Sequence, residues 1–540
     1  MKKKAVVSAA VVACFGLMLA GCQNNANSGT KNQSKITIIQ DVPVDSLDPV
    51  LAYQNTSSTV VGNTCEGLYT MDSKGQPHLA VASKVKTTNH GLTKTFTIRK
   101  NAVWSNGDPV TANDFVFAWR RLSNPKVASA FNFQPGAAGI KNANEIVAGK
   151  KPVNSLGVTA KGAKTLVVQL NHEVPYLGKL LSFSDFAPIN QKYFEKTGKK
   201  FAQDSSHLLS EGPYEVKNWK LGDNTLTLTK NPKYWDAKNV NIKEIKMDVI
   251  TDPEKAAIAY QNGSADYVHL SGQLVSKYRK DKGFKNTVGN FTQYVMFNLK
   301  KPGLDNTDLR KAISYSINRQ EITGSILKDG SIPTHSMVMK DLVKNPTTGK
   351  DFADESTTDY YQYSPAKAKQ YWNKAKSATK LRSFTLLYDD SDPSYANVAA
   401  YIKSQIEKNL PGMKVNLQQV SKKTRNDKLM KKNYDATITR WGPDYADPTA
   451  ILSMYQSKND SNYGSWGNAE FDKLMAQSDE TSDQTKRYNQ LLKANNILID
   501  SASCPPLYQI GYPILERPNI KGLDMHIAGV PFVFKNASIK

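Results

Sequence analysis

The longest apolar run in the chain lies near its N-terminal end, between Ala5 and Ala20, directly after three consecutive lysines. A basic start, an apolar stretch and small residues before a cut are typical of a secretory signal. The run is about 16 residues long, which is short of the ~20 that a membrane-spanning helix needs. No later stretch holds 18 consecutive apolar residues. The sequence therefore predicts a body that folds outside the bilayer, with an uncleaved anchor as the weaker alternative.

The apolar run ends in the sequence LAGC, which resembles a bacterial lipobox. In that motif the cysteine, here Cys22, is lipidated and becomes the first residue of the mature protein. Residues 1–21 are therefore interpreted as a lipoprotein signal peptide. Residues 22–34 are polar and rich in Asn and Ser, which is typical of a flexible tether. We expect a protein that is anchored through Cys22 to the extracellular face of the cell membrane, in an envelope of the Gram-positive type.

The composition is ordinary for a soluble globular protein, with 39% hydrophobic and 22% charged residues. Cleavage after residue 21 would leave about 519 residues, which at ~150 per domain suggests three or four domains. Only Cys65 and Cys504 lie in this body. A chain of this size can be held together by its core without disulfides. The sequence leaves open whether the two cysteines form a bridge or stay free.

The chain carries a formal net charge of +23. A strongly basic balance can indicate a nucleic-acid partner. Here the lysines are spread along the chain, and no basic block is interleaved with aromatic residues. A surface that faces anionic wall polymers and lipid head groups explains the charge more simply, so we predict no nucleic-acid partner.

Both strand-like and helical patterns occur along the body of the chain. Alternating apolar residues predict strands around 36–38, 96–98, 166–170, 226–228 and 245–249. Helical spacing of Leu309, Ile313 and Ile317 predicts a helix with Asn306 or Thr307 as N-cap. Further helices are predicted near 397–410 and 470–499. This mixture, without a repeat of fixed period, indicates an α/β or α+β fold with several sheets.

Motifs that are typical of enzymes and metal sites are missing. His172 and Glu173 begin like a zinc-protease helix, but Tyr176 stands where the second histidine ligand is required. CxxC, GxGxxG, P-loop and GxSxG patterns do not occur, and the seven histidines are scattered. We therefore predict no catalytic residue, no metal and no cofactor. Two facing carboxylates of a glycosidase would meet only in space, so the sequence leaves that alternative open.

The segment from 440 to 448 has the residues of a recognition site, with an acid between two aromatic residues. Asp447 precedes Pro448 and an apolar run, which predicts an N-cap followed by proline at the first helical position. Asp444 lies between Trp441 and Tyr445 and has no such structural task. On these residues alone, a solvated Gly-Pro-Asp turn is the simpler interpretation of Asp444.

Several longer motifs follow one another in order along the chain. They are CEGLY at 65–69, TFTIRK at 95–100, WSNGDPVT at 104–111, DFVFAWRRL at 114–122, EGPY at 211–214, KNPKYW at 230–235 and LRKAIS at 309–314. Together they resemble the oligopeptide-binding lipoproteins of bacterial ABC importers, which are solute-binding proteins of family 5. The resemblance covers essentially the whole mature chain.

This resemblance implies an α/β, two-lobed periplasmic-binding-protein-like fold of the class with an extra domain, three domains in all. Domain I would combine 35–66, 190–290 and 511–540, domain II would span 67–189, and domain III (291–510) would close over the ligand. The implied function is capture of oligopeptides between the lobes and delivery to an ABC permease, without enzymatic activity. The implied partners are the oligopeptide, the permease and ATPase subunits, and the membrane through the lipid anchor. We expect a monomer.

The resemblance also implies ligand contacts at particular residues. Asp444 would pair with the α-ammonium group of the peptide. The segments that would contact the peptide backbone are Arg440, Trp441 and Gly442 on one lobe and Tyr53, Gln54 and Asn55 on the other. Trp441 and Tyr445 would form pocket walls, and Phe131 stands where relatives have a tyrosine that contacts the peptide.

Two departures from the family pattern have consequences. Phe291 and Gly442 stand at the two positions that a disulfide joins in some relatives, so that bridge is absent here. Ile438 and Ser394 replace basic residues that bind the peptide C-terminus, which predicts a wider or longer range of peptides. A pheromone receptor would use the same site, whereas the lack of clustered histidines argues against nickel-complex or haem binding. A surface hydrolase and an adhesin remain the alternatives outside the family.

Overall fold

The computed structural model describes residues 34–73, 75–357, 361–392, 394–443, 445–523 and 525–540. The predicted signal peptide, Cys22 and nearly all of the predicted tether lie outside the described residues. Asp444 lies outside them as well. The predictions for Cys22 and Asp444 therefore stay predictions.

Strands and helices are interspersed along the chain. The strands are β1 (Lys35–Gln40), β2 (Tyr69–Met71), β3 (Pro77–Leu79), β4 (Ala82–Thr88), β5 (Thr93–Ile98), β6 (Val158–Ala160), β7 (Thr165–Gln169), β8 (Tyr214–Lys217), β9 (Thr225–Lys230), β10 (Glu244–Val249), β11 (Tyr267–His269), β12 (Phe284–Phe297), β13 (Ile332–Pro333), β14 (Ser383–Asp389), β15 (Lys414–Val420), β16 (Ala436–Trp441), β17 (Pro506–Glu516), β18 (Ile520–Lys521) and β19 (Ser538–Ile539).

Many of the α-helices are short, and the longest belong to the second half of the chain. They are α1 (Asn55–Thr64), α2 (Ala112–Ser123), α3 (Gln134–Ala137), α4 (Ala143–Val147), α5 (Leu177–Leu180), α6 (Gln191–Thr197), α7 (Pro253–Gln261), α8 (Gln273–Tyr278), α9 (Thr307–Ser316), α10 (Arg319–Glu321), α11 (Phe352–Glu355), α12 (Pro365–Ala378), α13 (Ser394–Asn409), α14 (Lys422–Met430), α15 (Thr449–Leu452), α16 (Ala469–Asp479) and α17 (Gln484–Asp500). Among the described residues, no helix combines the length and the apolar character needed to cross a bilayer.

One large mixed sheet runs through the molecule in the order β15-β14-β16-β12-β17-β11-β1-β10-β9-β8, with β13 beside β17. The long antiparallel pair of β12 and β17 joins the two halves of this sheet. Their register is interrupted between Val288 and Thr292. An irregular stretch of this kind bends a strand, so the connection between the halves is bent at this point.

Each half of the large sheet has cores on both of its faces. In β12, Val295 and Phe297 pack against one set of helices, whereas Tyr294 and Met296 pack against another. In β1, Ile38 and Ile39 likewise belong to two separate cores. Successive side chains of a strand point to opposite faces, so this pattern is that of a sheet covered on both sides. The two halves are the structural basis of the two lobes.

A separate four-stranded sheet has the order β4-β5-β7-β6 and packs against α2. Helix α2 begins with a capping box, in which Thr111 and Asp114 satisfy each other's backbone N–H groups. Its Trp119 is fully buried, and the indole Nε1 donates to the carbonyl of Phe186 at 2.9 Å. This indole ties α2 to the segment that follows α5.

The predicted strands all occur, and helix α9 begins as predicted, because the Asn306 side chain accepts from the Leu309 N–H at 2.9 Å. The prediction of a single helix over 470–499 is wrong. Two helices, α16 and α17, occupy that range, because the Asp483 carboxylate accepts from two backbone N–H groups and starts a second helix. Cys65 and Cys504, whose pairing the sequence leaves open, are both free thiols.

Candidate binding cleft

The first cavity has a volume of about 450 Å³ and opens beside β16. Its wall includes Trp441 and Gly442 from the end of this strand, and Tyr53 approaches from the other half of the molecule. Aromatic and sulfur-containing side chains form much of the lining, namely Phe291, Tyr294, Met296, Met430, Met454, Tyr455 and Tyr463. Methionine adapts its shape to varied partners, so this cavity suits apolar groups of different outlines.

A second cavity of about 210 Å³ lies along the interrupted part of β12, where it contacts Gly289 and Asn290. Tyr53 and Phe131 also line it, as does Pro443. Because Tyr53 lines both cavities, the two form neighbouring parts of one cleft between the halves of the molecule.

The position of Tyr53 in the cleft is fixed by hydrogen bonds from the backbone to Asp45. The Asp45 carboxylate accepts from the backbone N–H groups of Tyr53 and Gln54, at 3.2 and 3.3 Å. The Tyr53 side chain is 61% exposed and stacks on Phe131, with ring centroids 6.0 Å apart. An exposed aromatic ring on the wall of a cleft is typical of a binding surface.

Strand β16 has an open edge. It pairs with β12 along its whole length, but its ladder with β14 consists of two residue pairs and ends at Thr437. From Ile438 to Trp441 the edge facing away from β12 therefore has no paired strand in the described part of the chain. Such an edge can accept an extended chain as an added strand.

The end of β16 is packed tightly against β12. A Cβ atom at Gly442 would lie 2.6 Å from the carbonyl oxygen of Asn290 and 2.9 Å from the ring of Phe291. The Arg440 guanidinium lies 4.6 Å from the centroid of the same ring and donates to the Tyr395 hydroxyl at 3.2 Å. The Arg440 side chain is thus engaged by the protein, which leaves the backbone as the part of this segment available to a ligand.

The segment after position 444 is anchored to α5 and to Tyr176, the residue before that helix. The Tyr445 ring is nearly parallel to Tyr176, with centroids 4.8 Å apart. The Lys179 Nζ donates to the carbonyl of Ala446 at 2.8 Å. Burial raises the pKa of Tyr445 well above its ordinary value. Burial lowers the pKa of Lys179, while the carboxylate of Asp447 acts in the opposite direction.

Asp447 forms a buried ion pair with Arg487, with two hydrogen bonds of 2.6 and 2.8 Å. Its carboxylate also accepts from the Thr449 N–H at 3.0 Å. The predicted capping position is wrong by one residue, because Pro448 is the N-cap and α15 begins at Thr449. Burial alone would raise the pKa of Asp447, but Arg487, hydrogen bonds and Lys179 bring it below its ordinary value. Asp447 therefore stays ionised and fixes the chain directly before α15.

The structure brings most of the predicted site residues together. Arg440, Trp441 and Gly442 line the first cavity, Asn55 and Phe131 line the second, and Tyr53 lines both. Gln54 is the N-cap residue of α1. Tyr445 packs into the core against Tyr176, a placement that differs from a pocket wall.

Sequence reasoning missed other parts of the site. Lys179 lies 267 residues along the chain from its partner Ala446. Arg487 lies 40 residues from its partner Asp447. Met296 and Tyr455 line a cavity, but their spacing is that of ordinary core residues. No signal in the sequence alone distinguishes such residues from the core.

No group of three or more His, Cys, Asp or Glu side chains within the described ranges could hold a metal ion. The chain matches the family of bacterial extracellular solute-binding proteins, family 5, over residues 76–463. The chain belongs to this family. Membership confirms the predicted family, and it confirms the prediction of a binding protein rather than an enzyme.

Known relatives cover almost the whole chain. A dipeptide-binding protein of Lactococcus lactis is 31% identical, and the alignment covers 100% of both chains. Peptide-bound OppA of Listeria monocytogenes is 31% identical with a TM-score of 0.71, over 94% of this chain and 99% of that one. The murein tripeptide-binding protein MppA in its unliganded open form is 27% identical, with a TM-score of 0.83 over 94% and 98%. These structures confirm the two-lobed fold, and the described arrangement agrees more closely with the open form.

Proposed function

We propose that this protein captures oligopeptides in the cleft between its lobes and delivers them to an ABC permease. The observation that carries this proposal is the open edge of β16 beside a cavity of about 450 Å³. An extended peptide can pair with that edge through its backbone while its side chains enter the cavity. One relative is a dipeptide-binding protein and another is an OppA bound to peptide, which is consistent with this assignment.

Asp444 is the proposed partner of the peptide α-ammonium. The resemblance assigns this role, and the anchored residues Tyr445 and Asp447 limit where the loop can lie. When the cleft closes, water is excluded from both charges of this pair. Removal of one partner typically costs ~3–5 kcal/mol, because the other charge stays buried and unpaired.

The proposed domains keep the boundaries implied by the resemblance: 35–66, 190–290 and 511–540 for domain I, 67–189 for domain II and 291–510 for domain III. The two long strands β12 and β17 would then be crossing segments that let the lobes close like a hinge. The separate four-stranded sheet belongs to the proposed domain II.

The proposed location is the extracellular face of the membrane, with a lipid on Cys22. Replacement of Cys22 by Ala should release the protein from the membrane fraction. Metabolic labelling with an alkyne-bearing palmitate analogue should mark the wild type and leave Cys22→Ala unlabelled. Equal labelling of both proteins would exclude Cys22 as the lipidated residue.

Peptide capture can be tested with the soluble protein from residue 23 onward. Acid denaturation followed by mass spectrometry should release peptides that copurified with it. A free-amine peptide at ~100 times its dissociation constant should add ~2.7 kcal/mol to the free energy of unfolding. The N-acetylated peptide should add much less. Release of no peptide, with no stabilisation by any member of a peptide library, would contradict the proposal.

A further inference from the structure

Asp185 is a buried acid with no bonding partner for one of its carboxylate oxygens. Its side chain belongs to the second cavity of the cleft, yet the residue is only 3% exposed. Oxygen Oδ2 is buried and accepts no hydrogen bond from any described residue. A buried carboxylate oxygen without a hydrogen bond costs free energy, and the contacts within the described residues do not offset that cost at Oδ2.

The surroundings of Asp185 are those of a cation-binding site. Aromatic rings of Tyr53, Phe131 and Phe183 line the same cavity. The faces of such rings attract cations and also accept the aliphatic stem of a lysine or arginine side chain. Pro443, the residue before Asp444, closes one side. The cavity therefore adjoins the place where the proposed function puts the first residues of a peptide.

We infer that Asp185 binds a cationic side chain near the N-terminal end of the bound peptide, so that the protein prefers peptides with an early lysine or arginine. This inference rests on the proposed function, because it needs a peptide in the cleft. The aromatic rings would enclose the stem of the side chain, and the free carboxylate oxygen would accept from its ammonium or guanidinium group.

Binding of this kind has a proton signature. Burial raises the pKa of Asp185 to about 7, so part of the free protein carries a proton on this carboxyl near neutral pH. A cation that pairs with the carboxylate favours the ionised form. Binding of a basic peptide should therefore release a fraction of a proton, whereas an apolar peptide of the same shape should release none.

The test compares lysine with norleucine, which keeps most of the stem and lacks the charge, at each of the first three positions of an alanine tetrapeptide. Calorimetric titration of the wild type should show at least about tenfold tighter binding of lysine at one of these positions. Asp185→Asn should remove that preference. Asp500→Asn is the control, because Asp500 is an exposed acid that lines neither cavity of the cleft, and it should keep the preference.

Titrations in two buffers of different ionisation enthalpy measure the proton release of the wild type, so the inference stays testable if Asp185→Asn fails to fold. Equal affinities for lysine and norleucine peptides, no proton release, or a preference that survives in Asp185→Asn would overturn the inference. Binding of neither peptide series, nor of any library peptide, would contradict the proposed function itself. Binding of both series with equal affinity would contradict the role of Asp185 alone.

Discussion

At the scale of single residues, close packing and burial decide what the cleft can do. Gly442 leaves no space for a side chain against Asn290 and Phe291, so the chain just after β16 lies in close contact with β12. Asp185 shows the opposite case, in which one oxygen of a buried carboxylate is left without a hydrogen bond among the described residues. Both features depend on three-dimensional neighbours, and a sequence motif shows neither.

Replacement of Gly442 by Ala should destabilise the protein by about 1–3 kcal/mol, because the new methyl group must displace backbone and ring atoms. Urea unfolding monitored by circular dichroism measures this change. Gly324→Ala is the matched control, since a Cβ atom there meets nothing within 4 Å. Equal stabilities of the two variants would show that the close approach at Gly442 is absent.

The buried carboxyl of Asp185 should also make stability depend on pH. Its pKa is about 7 in the folded protein because of burial, compared with 3.8 for an ordinary aspartate. Between these values the folded state keeps a proton that the unfolded state has lost, so the free energy of unfolding falls as the pH rises from about 4 to about 7. Asp185→Asn should make this fall smaller in urea titrations across that range. An identical pH dependence in both proteins would contradict the raised pKa.

At the scale of elements, local sequence predicts much of the secondary structure. Alternation of apolar residues identifies strands such as β1 and β10, and Asn306 identifies the start of α9, because these signals act over a few residues. The apolar spacing over 470–499 predicted one helix. The role of Asp483 as an N-cap that starts α17 within that range was missed. The open edge of β16 was also missed, since strand neighbours are set by tertiary pairing.

The anchoring of the 445–447 loop by α5 predicts an effect of Lys179 on peptide binding. Lys179→Met removes the bond to the Ala446 carbonyl, so residues 445–447 should lose their fixed position and peptide affinity should fall about tenfold. Lys164→Met is the matched control. Lys164 also donates to a backbone carbonyl, that of Val110, at 2.7 Å, but it lines neither cavity of the cleft. Fluorescence titration with one labelled peptide measures both variants. Unchanged affinity in Lys179→Met would contradict this role of the loop contact.

At the scale of the whole molecule, the central sheet explains how two lobes can move as units. Each half of the sheet has its own cores, and β12 and β17 connect the halves through an irregular stretch. The family resemblance predicted the two-lobed fold, whereas composition indicated only a mixed fold with several sheets. The placement of Tyr176 against Tyr445, 269 residues apart along the chain, could not be predicted from either.

The greater similarity to an unliganded open form predicts that peptide closes the cleft. Small-angle X-ray scattering of the soluble protein should show a smaller radius of gyration with a saturating peptide than without it, because hinge closure brings the lobes together. The N-acetylated form of the same peptide at equal concentration serves as control. An unchanged scattering profile at saturation would contradict closure.

The most direct test of peptide capture is calorimetric titration of one free-amine peptide into wild type, Asp444→Ala and Asp500→Ala, whose replaced acid is exposed at the end of α17. Loss of the proposed ammonium partner should weaken binding by a factor on the order of 100 or more. Asp500→Ala should bind like the wild type. Equal dissociation constants for all three proteins would show that position 444 does not hold the amino end of the peptide.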